Sequence, residues 1–200
     1  MHVEELPVPG AYVLTPVQHD DDRGTFLEWF RADDLRVATG RDLTLAQANC
    51  SVSAAGVVRG VHYADVPPGQ AKHVFCASGA VLDVVVDLRV GSPAFGRSAS
   101  VVLDDVDRRA VFLPEGVGHA FVALADASTV VYLCSTGYAP GREHGVDPFD
   151  PDLAVAWPAT GRDGAPLELR LSDRDRRAPS LQEALTAGAL PTWAQCSSLR

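Results

Sequence analysis

Within the run Val57-Val58-Arg59-Gly60-Val61-His62-Tyr63, an arginine and a histidine interrupt residues that otherwise favour a β-strand. Arginine stays charged at any working pH, and its planar fork suits carboxylate or phosphate. Histidine takes and gives a proton near neutrality. Side by side they describe anion binding next to acid–base chemistry. Three positions apart, they would face opposite sides of a regular strand. Gly60 lies between them, and an isolated strand glycine often marks a bulge or a close backbone approach. The spacing predicts a bulge or twist at Gly60 that turns Arg59 and His62 toward one cavity. A core histidine with a surface arginine fits the same seven residues.

Three further polar side chains stand in apolar strands: Lys72, His119 and Tyr132. Lys72 is the only lysine of the 200 residues. His119 follows the glycine-rich turn Pro114-Glu115-Gly116-Val117-Gly118. By residue type alone, Tyr132 also fits a core aromatic with a satisfied hydroxyl.

The elements that must hold these groups are short. Residues 11–17 and 25–30 read as strands joined by the turn Asp20-Asp21-Asp22-Arg23-Gly24. Residues 32–39 read as a helix closed by Gly40. Residues 45–52 alternate, with Gln47, Asn49 and Ser51 on one face and Ala46, Ala48, Cys50 and Val52 on the other. The amide face either meets water or lines a polar pocket. Residues 72–77 and 80–88 read as a hairpin about Ser78-Gly79, with Leu82, Val84, Val86 and Leu88 as a core face. Strands at 98–103, 110–113, 119–124 and 129–134 follow, and Ser180 with Glu183 forms a capping box for a helix over 180–187. Many short strands without βαβ alternation indicate an all-β sandwich or small barrel with a few short peripheral helices. The expectation is one domain over residues 1–200. Strands occupy it to about residue 158, and a C-terminal wrap runs over about 159–200.

Composition narrows the partners. A net charge of −9 argues against nucleic acid and anionic membranes, so an anionic ligand needs arginines gathered locally. Cys50, Cys76, Cys134 and Cys196 are far apart, with no Cys-x-x-Cys pair, and read as free thiols serving as small core residues. The N-terminus has no basic segment followed by an apolar run, and no apolar stretch is long enough to span a bilayer. The expected compartment is the reducing cytoplasm.

One ordered series carries more. It comprises Arg23-Gly24-x-Phe26-x-Glu28, Gln47-x-Asn49, Arg59-Gly60-x-His62, Gln70-x-Lys72 and Gly118-His119-Ala120-Phe121. It continues with Tyr132, Tyr138-x-Pro140-x-x-Glu143, Trp157-Pro158 and Leu171-Ser172-Asp173-Arg174-Asp175. Each piece is weak alone, but the series in this order resembles the dTDP-4-dehydrorhamnose 3,5-epimerase family. The resemblance implies a cupin-like jelly roll that inverts C3, C5 or both of a dTDP-4-keto-6-deoxyhexose without cofactor or metal. It also implies a homodimer whose N-terminal strands lie at the interface.

Roles implied by the resemblance are these. His62 is the base, paired with the carboxylate of Asp175. Lys72 stands beside the ketone oxygen, and Tyr132 is the opposite-face acid. Such chemistry needs a base for the α-proton, stabilisation of the enolate and a donor on the other face. Arg23, Arg59 and His119 fit the diphosphate or sugar. Phe26, Glu28, Gln47 and Asn49 fit nucleotide and sugar recognition. Tyr138 stacks on thymine, and Glu143 contacts the ligand. Arg174 stands where many members have lysine. His73 replaces a usual hydrophobic residue and is expected to point away from the pocket. Residues 159–166 read as a short insertion ahead of the late motif.

Two other classes stay open. A metal-dependent cupin would gather His62, His119 and His144, although the usual His-x-His is absent and Lys72 would repel a cation. A non-catalytic nucleotide-sugar binder would need the arginines but not His62, Lys72 and Tyr132 together.

Overall fold

The computed structural model describes residues 1–199. Two antiparallel sheets face each other. The six-stranded sheet runs β1 (His2–Glu5), β2 (Tyr12–Thr15), β10 (Ala110–Leu113), β7 (Lys72–Ser78), β12 (Ser128–Cys134), β5 (Gln47–Ser53), with strands numbered in chain order. The five-stranded sheet runs β13 (Glu143–Gly145), β6 (Val58–Ala64), β11 (Val117–Ala123), β8 (Ala80–Asp87), β9 (Ser98–Asp104). A separate hairpin joins β3 (Gln18–Asp21) to β4 (Gly24–Leu27). The helices are α1 (Ala32–Thr39), α2 (Asp173–Arg176), α3 (Leu181–Thr186) and α4 (Trp193–Ser197). None of them is long and apolar enough to cross a membrane. The architecture is the all-β sandwich that the strand pattern indicates, in the jelly-roll form that the resemblance implies.

Three apolar clusters hold it. Between the sheets lie Val74, Cys76, Val81, Val85, Leu103, Val111, Phe121 and Val130. Outside the five-stranded sheet, Val84, Val86 and Leu88 pack under Leu153, Leu181, Ala184 and Leu190 of the C-terminal wrap. Outside the six-stranded sheet, Phe75, Phe112 and Leu133 pack against Leu35 of α1 and the half-buried Trp29 and Phe30. Helix α1 ends as its sequence dictates, with Gly40 left-handed at φ 69° and its N–H donating to the Arg36 carbonyl. Helix α3 carries both hydrogen bonds of the Ser180–Glu183 capping box.

The structure corrects several expectations. Strands β7 and β8 form no hairpin: β7 pairs with β10 and β12, and β8 with β11 and β9. The chain changes sheet at Ser78-Gly79. Strand β8 is buried on both faces, because one packs between the sheets and the other under the C-terminal wrap. A buried strand of that kind carries no signature of its partners. The N-terminal region holds four strands rather than two. Strands β1 and β3 carry no sequence signature, because His2–Glu5 and Gln18–Asp21 are largely polar and exposed, so backbone pairing alone marks them. Cys76, Cys134 and Cys196 are buried free thiols, but Cys50 is exposed on edge strand β5, so it is not a core residue. His73 points away from the inter-sheet space as expected. It is fully buried against Trp29 and Phe30, with Nε2 3.2 Å from the Trp29 carbonyl oxygen. Burial pulls its pKa down to about 4, so the ring is neutral at pH 7.

Candidate active site

The predicted bulge is present. His119 of β11 pairs with His62 of β6, and Phe121 pairs with Arg59, so three steps on β6 oppose two on β11. Gly60 sits in the bulge at φ 107°, and a Cβ there would lie 2.3 Å from the His119 carbonyl oxygen. The extra residue breaks strict alternation, and Arg59 and His62 line one cavity of about 380 Å³.

Each sheet supplies part of that cavity. His62 and His119 are cross-strand neighbours in the five-stranded sheet. Lys72 and Tyr132 come from β7 and β12, adjacent strands of the other sheet. An imidazole and a phenol therefore approach one space from its two walls, with an ammonium beside it.

His62 Nε2 lies 2.7 Å from Asp175 Oδ1. Asp175 is buried at the third position of α2, where Ser172 caps the helix by accepting from the Asp175 N–H at 3.1 Å. Burial raises the Asp175 carboxyl, but hydrogen bonds from His62, Ser172 and the Gly60 backbone outweigh it and hold the pKa below the usual value. A carboxylate only accepts, so the facing Nε2 carries the proton and Nδ1 is the basic nitrogen. His119 has the same arrangement, with Nε2 2.7 Å from Oδ2 of the buried Asp83.

Burial lowers the pKa of Lys72, while Cys134, Glu143 and Asp83 push it back up. Burial raises Tyr132, with Cys134 and Glu143 adding to the rise and Arg59 opposing it, so the phenol is protonated at neutral pH. Arg59, Arg170 and Arg174 also line the cavity, a local gathering of positive charge on a chain of net charge −9.

The amide face of β5 turns inward, half-buried, while Ala48, Cys50 and Val52 are exposed. The Tyr138 N–H donates to Gln47 Oε1 at 2.7 Å, and Gln47 Nε2 to Asn49 Oδ1 at 2.7 Å. Asn49 Nδ2 then reaches Cys134 Sγ at 3.6 Å. The backbone donor fixes the direction of the whole chain of bonds. Tyr138 is 56% exposed, and Glu143 borders a smaller pocket of about 80 Å³ with Gln70 and Arg142.

Arg23, Phe26 and Glu28 are not brought to the cavity within one chain. They lie on or beside the β3–β4 hairpin. There Arg23 pairs with Asp21, Glu28 pairs with Arg31, and Phe26 is 67% exposed. His144 does not join His62 and His119, because it pairs with Asp65 at 2.7 Å beside Tyr63. Among the described residues no three His, Cys, Asp or Glu side chains gather as a metal site.

Sequence reasoning missed Arg170, Phe121 and Asp83, while Ser51 lines the cavity from the amide face of β5. Arg170 reaches the cavity through backbone bonds between residues 56–58 and 170, a long-range pairing that no local pattern encodes. Asp83 was legible only as an acid inside the apolar run of β8.

The family profile of dTDP-4-dehydrorhamnose 3,5-epimerase matches residues 5–183. A dTDP-4-dehydrorhamnose 3,5-epimerase of Mycolicibacterium smegmatis is 55% identical over 198 residues, covering 99% of this chain and 94% of that protein. The structure of a Mycobacterium tuberculosis epimerase superposes with a TM-score of 0.94 at 52% identity, covering 100% of this chain and 98% of that one. A 3′-monoepimerase from Streptomyces bikiniensis, solved with dTDP as a His→Asn, Tyr→Phe double mutant, has a TM-score of 0.91. It is 49% identical, covering 100% of this chain and 96% of that one.

Proposed function

The chain belongs to the dTDP-4-dehydrorhamnose 3,5-epimerase family, and from that premise we infer that His62, Lys72 and Tyr132 invert C3, C5 or both of a dTDP-4-keto-6-deoxyhexose. His62 Nδ1 removes the proton from the carbon next to the C4 ketone, and Asp175 steadies the imidazolium that forms. The electron pair moves onto the C4 oxygen, where the Lys72 ammonium stabilises it. Tyr132 returns a proton from the opposite face, and solvent carries the proton from His62 back to the phenolate. No cofactor enters these steps. The observation that carries the reading is the approach of His62 and Tyr132 to one cavity from opposite sheets, with Lys72 alongside.

Around this centre, Arg59, Arg170 and Arg174 suit the diphosphate. Glu143 suits a hydroxyl-bearing part of the ligand, and the Gln47–Asn49 chain holds the Tyr138 backbone so that its exposed ring can stack on thymine. Arg23, Phe26 and Glu28 suit the same ligand only across a homodimer, which gives the exposed hairpin a role at the partner's site. Sedimentation at the mass of one 21.2 kDa chain would count against that arrangement. The four unpaired thiols suit a cytoplasmic enzyme.

Incubation with dTDP-4-keto-6-deoxyglucose in heavy water tests the chemistry. The expected product carries deuterium at C3, C5 or both, located by NMR. Tyr132→Phe is expected to cut net inversion by about 10²-fold or more while wash-in at the unreacted centre persists. Equal loss of both would remove Tyr132 from the role of acid.

A further inference from the structure

Ser53 ends the inward row that Gln47, Asn49 and Ser51 begin on β5. It is 3% exposed, and its Oγ accepts from Arg59 Nε at 3.2 Å. The bond joins the two sheets, since Ser53 belongs to edge strand β5 of one and Arg59 to β6 of the other. The acceptor is well fixed. Strand β5 pairs with β12 in unbroken register from Gln47 to Ser53, and Ser53 stands opposite Ser128. Ser128 is fully buried, and its Oγ accepts from the Ala80 N–H at 3.2 Å. Arg59 is exposed and has a long side chain, so it is the partner that needs holding.

Which nitrogen is held decides what remains. A guanidinium can grip an oxyanion through its Nε side or through its paired Nη groups. With Nε on Ser53, the Nη end of Arg59 is left for a ligand in the cavity that it lines. Arg170 and Arg174, which line the same cavity, are each held by an Nη instead. Arg170 Nη2 donates to Glu168 Oε2 at 3.1 Å, and Arg174 Nη2 to the Glu143 carbonyl at 2.9 Å. Arg170 thereby shares its charge with a carboxylate. A serine hydroxyl is neutral, so it fixes the Arg59 plane without drawing on the charge.

We propose that Ser53 is a positioning residue for Arg59: its hydroxyl holds Nε, so that the paired Nη donors meet the diphosphate of the ligand end-on. The identity of that ligand rests on the epimerase reading. The hydrogen bond that holds Arg59 does not.

Calorimetry with dTDP reads the effect. Ser53→Ala is expected to weaken dTDP binding by about 10-fold, the worth of one hydrogen bond to a charged group. KM for the dTDP-sugar is expected to rise by a similar factor while kcat stays within about twofold, because Ser53 acts through Arg59 and not on the reacting atoms. A general packing defect would weaken binding whatever stands at position 59. In an Arg59→Met background, where no donor faces Ser53, Ser53→Ala is expected to change dTDP affinity by less than about twofold. Unaltered affinity in Ser53→Ala, or an equal loss in both backgrounds, would overturn the proposal. Should Ser53→Ala not fold, the Arg59 Nε–H resonance of the wild type decides, assigned by its loss in Arg59→Met. It is expected to exchange with solvent more slowly than in free arginine, and exchange at the free rate would overturn the proposal. This signal needs no ligand, so a wild type that binds no dTDP would sink the epimerase reading while leaving the test of Ser53 intact.

Discussion

His62→Asn is expected to lower wash-in of solvent deuterium and turnover by about 10²- to 10⁴-fold, the usual worth of a positioned general base. Asparagine can still donate an N–H to Asp175, so the 2.7 Å contact that anchors position 62 to α2 has a substitute. What disappears is the basic Nδ1 lone pair. The arginines at 59, 170 and 174 are untouched, so dTDP affinity by calorimetry is expected to stay near wild type. That split separates the acid–base role from a binding role. Wild-type exchange rates in this variant would end the assignment of His62 as base. A matching loss of dTDP affinity would recast it as a ligand contact.

Gly60→Ala is expected to cost about 3 kcal/mol or more in denaturant unfolding and to abolish most activity. At φ 107° a side chain is strained, and the new Cβ would stand 2.3 Å from the His119 carbonyl oxygen and 2.8 Å from Ala120 Cα. Both are backbone atoms, so no rotamer change relieves the contact. Relief would have to move β6 away from β11, and with it Arg59 and His62. Gly91→Ala separates strain from close approach. Gly91 also has positive φ, at 87°, but a Cβ there meets nothing within 4 Å. Its expected cost is about 1 kcal/mol, from conformation alone. Equal stability of the two variants would show that the bulge tolerates a side chain, and that the approach of β6 to β11 does not depend on glycine.

Much of the site was legible for reasons that can be named. Arg59, Lys72, His119 and Tyr132 stand out because charged, imidazole and phenol groups are costly in apolar strands unless they face a cavity or a partner. Gly60 announced its bulge because a glycine between two polar groups at odd spacing has few other uses. Ser172 and Asp175 lie within one helical turn, so the cap that aims the carboxylate is local. The amide alternation of β5 was legible as a pattern but not as a direction. Which face meets water depends on what stands opposite, and here Cys134 and the 136–142 loop do.

Strand content, the end of α1, the capping box of α3 and the polar groups of the site follow from local chemistry, because backbone propensity and capping act over a few residues. Pairing acts across the chain. The sheet change at Ser78-Gly79, the arrival of Arg170 beside Val57, and the junction of Asp83 with His119 are long-range outcomes. Each depends on which buried surfaces meet. A strand buried on both faces, such as β8, can pair with any neighbour of matching register, so its own residues do not name the partner.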